Sequence, residues 1–149
     1  MVLVGASLEG RVTDIVGVDL SPKMLEKASK LNIYCELVHS DVLDFLATIE
    51  TKFDLFTAAD VFIYLGDLTD VFQKMLNRSN VGAKVLFTTE HFGGETYRLN
   101  ATGRFSHSPK YIEKLCSDIE ARIVSFETSH LRNDAGKSVR GGFYLIQLP

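Results

Sequence analysis

The chain has 149 residues, 46% of them apolar and 23% charged, the ordinary mixture of one globular domain long enough to bury a core. A formal charge of -3 with scattered Lys and Arg excludes the dense basic field that nucleic acid or an anionic membrane selects, leaving a small-molecule or protein partner. No apolar run approaches the ~18 residues of a membrane span, no signal peptide opens the sequence, and Cys35 and Cys116 lack disulfide-framework or metal-ligand spacing, so reduced thiols in a cytoplasmic protein and no bound metal are expected.

In chain order, residues 1–8 are apolar and lead into Glu9-Gly10-Arg11, which reads as a short helix and a turn. Residues 12–18 hold the β-branched Val12, Ile15, Val16 and Val18 of a buried strand, which leaves Asp19 at its carboxyl end. Ser21-Pro22 then supplies a helix cap and a first position that needs no amide donor, so a helix is expected over 22–31 with Met24, Leu25, Ala28 and Leu31 on one face. A second strand over 33–39 runs into Ser40-Asp41, and a short helix follows over 42–49. A third strand, 53–58, leads into Ala59-Asp60-Val61.

From Asp67 the period changes: Leu68, Val71, Phe72, Met75 and Leu76 make the apolar face of a helix ending near Asn80. Val81-Gly82-Ala83 reads as a turn into a fourth strand, 84–89, which ends at Glu90-His91 before the loop glycines Gly93 and Gly94. Residues 95–107 are polar and read as irregular; Ser108-Pro109 repeats the helix start, with Ile112, Leu115, Cys116 and Ile119 facing a core. Strand-like runs over 122–128 and 142–148 close the chain as an antiparallel hairpin.

The order is βαβαβαβ plus a hairpin, which predicts an α/β fold: one domain over 1–149 with a doubly wound, mostly parallel sheet. Right-handed crossovers would line Asp19, Asp41, Asp60 and Glu90 along one sheet edge, the edge where open parallel sheets bind ligands. An acidic residue after the first strand is placed to accept both hydroxyls of a ribose, although each of these carboxylates could equally cap the turn that follows it.

With these residues in place the sequence resembles the class I S-adenosylmethionine-dependent methyltransferases over nearly its whole length. Within them it is similar to a branch of predicted methyltransferases associated with tetratricopeptide repeats. The matching stretches run from Gly17-Val18-Asp19-Leu20-Ser21-Pro22 through Asp41-Val42 and Phe53-Asp54-Leu55 to Ala59-Asp60-Val61 and Tyr64-Leu65-Gly66-Asp67-Leu68. More distinctive of the branch are Thr102-Gly103-Arg104-Phe105-Ser106-His107-Ser108, and Leu131-Arg132 with Gly136. The resemblance implies a Rossmann-like sheet and S-adenosyl-L-methionine as cofactor. It gives Asp19 and Leu20 to the ribose, Asp41 and Val42 to the adenine, and Ala59 and Asp60 to the methionine part. His91, beside Glu90, becomes a candidate general base or acceptor contact at the methyl end, with Tyr64 a second catalytic candidate that could instead be core. Arg104 and His107 could orient a carboxylate or phosphate on the acceptor, or simply tie their loop to the domain.

The family opens its sheet with a further strand and a glycine-rich loop, and only 18 residues precede Asp19 here. The expectation is therefore an N-terminally truncated domain, from a late-started reading frame or a shortened chain, with a degenerate family member as the other explanation. In the family that strand is central, so its loss would leave two strands without a ladder partner and open to self-association. Two rivals remain: a non-catalytic methyltransferase-like binding module or pseudo-enzyme, and a nicotinamide-dependent dehydrogenase, which shares the acidic residue but whose glycine fingerprint is absent.

Overall fold

The computed structural model describes residue 7 and residues 10–134 and 136–149, and the expected helix over 1–8 lies outside them but for Ser7. The chain divides into two compact units, Met1–Glu50 and Thr51–Pro149.

In the first unit, strand β1 (Val16–Asp19) pairs in parallel with β2 (Glu36–His39), Val16 opposite Glu36 and Asp19 opposite His39. Both strands are shorter than their apolar patterns suggest, and Asp19 is the last residue of β1 rather than the first beyond it. Gly17 lies close to its neighbours: a Cβ there would stand 2.7 Å from Leu37 Cδ2 and 3.1 Å from the Tyr34 ring, so those side chains would have to shift. Helix α1 (Pro22–Ser29) starts where Ser21 Oγ accepts the Met24 N–H, with Pro22 in its first turn. Helix α2 (Val42–Thr48) is capped by Asp41, whose Oδ1 accepts the Leu43 N–H at 2.7 Å. Ala28, Phe45 and Leu46 are the buried apolar side chains of the two helices.

In the second unit, β3 (Phe53–Ala58) leads through a single 3-10 turn (Phe62–Tyr64) into α3 (Thr69–Asn77). Strand β4 (Ser79–His91) follows and organises the sheet. It pairs in parallel with β3 along one edge, in antiparallel fashion with β8 (Lys137–Gln147) along the other, and its last two residues pair in parallel with β6 (Phe105–His107). A short β5 (Tyr97–Leu99) pairs with β6, α4 (Pro109–Asp118) follows, and β7 (Arg122–Asp134) flanks β8 on its outer side. Among the described residues four helices accompany these strands.

Three sequence expectations are corrected here. The sheet is mixed rather than mostly parallel, because β8 lies between β4 and β7 and runs antiparallel to both. Gly82 does not end a turn before the fourth strand but sits inside β4 at φ +75°, where a bulge displaces the pairing with β3 and the strand continues. Residues 95–107, expected to be irregular, contain the β5–β6 hairpin.

Core packing follows the period-2 alternation of β4, in which Ala83, Val85, Phe87 and Thr89 are buried while Lys84 and Leu86 are exposed. Phe87 lies at the centre: its ring is 5.3 Å from Phe62, 5.5 Å from Phe72 on α3 and 4.9 Å from Tyr144 on β8, the last pair stacked. Ile112, Leu115 and Cys116 of α4 are buried, and burial with the Glu113 charge pushes the Cys116 thiol up to about 11, so it stays protonated. Cys35, in contrast, is exposed.

Candidate functional site

The first unit gathers its candidates at one end of the β1–β2 pair. Because the strands are parallel and in register, Asp19 ends one and Asp41 follows the end of the other by two residues. Asp19 Oδ1 accepts the Ser21 N–H at 2.8 Å, which bends the chain into α1. The Leu20 carbonyl accepts a hydrogen bond from His39 Nε2 at 3.0 Å, so the last residue of β2 steadies the turn after β1. The Leu20 side chain is 65% exposed, an apolar group held open beside a carboxylate. Val42 is half-buried at the start of α2, next to the capping Asp41. His39 carried no sequence signal beyond its strand position; its contact depends on pairing across the sheet.

The second unit gathers its candidates where β3 and β4 end. Ala59 is half-buried; Asp60, at φ +55°, occupies a conformation that Asp tolerates better than most residues, and its N–H donates to Thr88 Oγ1 at 3.0 Å. Asp60 Oδ1 accepts from Arg132 Nη1 at 2.9 Å, and Arg132 Nη2 donates to Glu90 Oε1. The other Glu90 oxygen accepts from Asn100 Nδ2 at 2.9 Å, and Asn100 also donates to Ser106 Oγ at 2.5 Å. Glu90 is thus a nearly buried carboxylate with both oxygens engaged and a cation beside it, which is how a buried charge is tolerated. Arg104, half-buried, forms an ion pair with Asp134 at 2.5 Å.

His91 is half-buried, its ring lies 6.5 Å from the Phe126 ring, and its Nδ1 is buried without a hydrogen-bond partner. Burial, assisted by the nearby Arg140 charge, lowers its pKa and favours the neutral imidazole. Tyr64 is 65% exposed and is therefore no part of the core. His107 is fully buried, with Nε2 2.9 Å from the Gly66 carbonyl, an arrangement that ties β6 to the segment before α3. Of the residues the sequence singled out, the structure joins Asp60 to Glu90 through Arg132, while Arg104 pairs separately with Asp134. Sequence reasoning assigned no role to Arg132, Asn100 or Ser106. Among the described residues no cluster of three His, Cys, Asp or Glu side chains could hold a metal, and no helix is long and apolar enough to cross a membrane.

A family model described as a methyltransferase domain matches residues 3–81, more than half of the chain. The chain belongs to that methyltransferase domain family. Solved structures share the fold at low identity. The N-methyltransferase NodS from Bradyrhizobium japonicum WM9, in complex with S-adenosyl-L-homocysteine, superposes with a TM-score of 0.70 at 16% identity, over 96% of this chain and 70% of that one. A SAM-dependent methyltransferase from Methanosarcina mazei gives 0.71 at 12%, over 96% and 85%. Magnesium protoporphyrin IX methyltransferase from Synechocystis PCC 6803, with bound SAM, gives 0.67 at 14%, over 96% and 63%. No curated protein sequence matches this one.

Proposed function

We propose that this methyltransferase domain binds S-adenosyl-L-methionine and serves methyl transfer to a small-molecule or protein acceptor, within the branch associated with tetratricopeptide repeats. The observation that carries the reading is the strand–Asp19–Ser21–Pro22 turn at the end of a parallel strand pair, inside the stretch that matches the family. The donor set fits the cofactor. The Asp19 carboxylate spends one acceptor site on Ser21 and has lone pairs left for a vicinal diol, and the exposed Leu20 side chain offers an apolar contact beside it. Asp41 and Val42 are assigned to the adenine, and Ala59 and Asp60 to the methionine part, each by its position in the family motif.

The cofactor supplies an electrophilic methyl group, so no covalent enzyme nucleophile is needed. The protein orients the acceptor, excludes water and manages one proton. His91 is assigned the last task by its place beside Glu90 at the end of β4, and burial favours its neutral imidazole. Tyr64 and Arg104 are assigned to acceptor contact.

Among the described residues β1 and β3 each have a strand on one edge only. We read the domain as doubly wound and place it in the cytoplasm. The same edges support the rival, a non-catalytic module that self-associates. Titration calorimetry with S-adenosyl-L-homocysteine, with NADH as control, tests the reading. Binding abolished by Asp19→Ala is the expected outcome. A lack of binding, together with self-association in solution, would decide for the module.

A further inference from the structure

The two terminal nitrogens of Arg132 serve two different carboxylates. Nη1 donates to Asp60, at the turn after β3, and Nη2 to Glu90, near the end of β4. It reaches them from β7, 72 residues beyond Asp60 in sequence. The pairing of β7 with β8 shifts register between His130 and Arg132, and a bulge of this kind re-aims a side chain. Each partner is held from a second side: the Asp60 N–H by Thr88 Oγ1, and the second Glu90 oxygen by Asn100. The side chains grade from Glu90 at 9% exposure through Arg132 at 20% to Asp60 at 51%. The fork is therefore anchored inside and presents its outer carboxylate to solvent.

We propose that Arg132 is a positioning residue that fixes the Asp60 carboxylate, and with it the turn after β3, in the geometry a ligand meets. The ligand part of this inference rests on the methyltransferase reading; the positioning part does not. A guanidinium is a rigid planar donor with N–H groups directed at two acceptors at once, whereas an ammonium is a point charge on a flexible stem. The role thus belongs to the fork and not to the positive charge.

Residue-resolved amide hydrogen exchange on the full chain, with Arg132→Gln and Arg132→Lys variants, tests it. The Asp60 amide should exchange at least about tenfold faster in both variants, while Val85 and Phe87 in the centre of β4 keep their protection. Calorimetry with S-adenosyl-L-homocysteine should show an affinity about tenfold weaker in both. An Asp60 amide unchanged in Arg132→Gln, or restored to the parent rate in Arg132→Lys, overturns the proposal. Should the single variants fail to fold because Glu90 is left without its cation, the Arg132→Gln/Glu90→Gln pair removes that charge and the same amide is read. A parent chain that binds no S-adenosyl-L-homocysteine counts against the cofactor reading alone, because the exchange measurement needs no ligand.

Discussion

His107 packs between aromatic rings, 6.0 Å from Tyr97 and 5.8 Å from Tyr111, and is closed to solvent. Its Nε2 lies against the Gly66 carbonyl, so this nitrogen carries the proton, and Nδ1 is left as a bare acceptor without a partner. Desolvation lowers the pKa; the backbone carbonyls of Gly66 and Leu65 pull the other way and only partly offset it. The unfolded chain therefore takes up a proton on this ring near pH 6.5 while the folded one still refuses it, and stability must fall as pH drops through that value toward the lower folded pKa. We expect the melting temperature to decline between pH 7.5 and pH 5, and His107→Gln to show a shallower decline whatever its own stability; parallel profiles of the two proteins would refute this. Asp19, Asp41 and Asp60 are legible as candidates because each stands at or within two residues of the end of a strand-like run. Arg132 stands out only as part of a branch-specific stretch; its partnership with Asp60 is not legible, because the two are 72 residues apart.

Helix starts are the elements most faithfully written into the sequence. Ser21-Pro22 and Ser108-Pro109 both open helices at the expected residue, because capping is settled between neighbours. At Ser108 the cap also has a tertiary role: Oγ accepts the Tyr111 N–H at 3.1 Å, its own N–H donates to the Thr96 carbonyl at 2.9 Å, and the residue is fully buried. Ser108→Ala should therefore cost about 1–2 kcal/mol, from the lost cap and the unpaired amide left behind, measurable as a lower denaturant midpoint at unchanged slope. Strand ends are written less clearly. Gly82 carries a turn signature, yet the pairing on either side of it holds β4 together, and β5 and β6 are too short and too polar to announce themselves. The place of β8 between β4 and β7 is a pairing across more than fifty residues, and no local pattern distinguishes it from a hairpin added at one edge.

At the scale of the whole molecule the two units are unequally supported from within. Among the described residues the first has a two-stranded sheet and few fully buried side chains; the second has a six-stranded sheet around Phe62, Phe72, Phe87 and Tyr144. A strand pair covered by two short helices buries less apolar surface than a six-stranded sheet with a packed face, and is the easier of the two to open. Amides of residues 16–19 and 36–39 should accordingly exchange by local opening well before those of residues 83–90, which should require global unfolding. Equal protection in the two stretches would show that the first unit draws its stability from outside itself.

The central place of β8 also bears on synthesis. A ribosome delivers β4 with one edge ready for β3 and the other waiting for a strand encoded some fifty residues later. Until that strand emerges, Val85, Phe87 and Thr89 lack the neighbour that covers them, and β7, made just before β8, has nothing to pair with. The nascent chain thus carries an unpaired apolar β edge while those residues are made, the period in which a holding chaperone or a mispaired copy would find it most receptive.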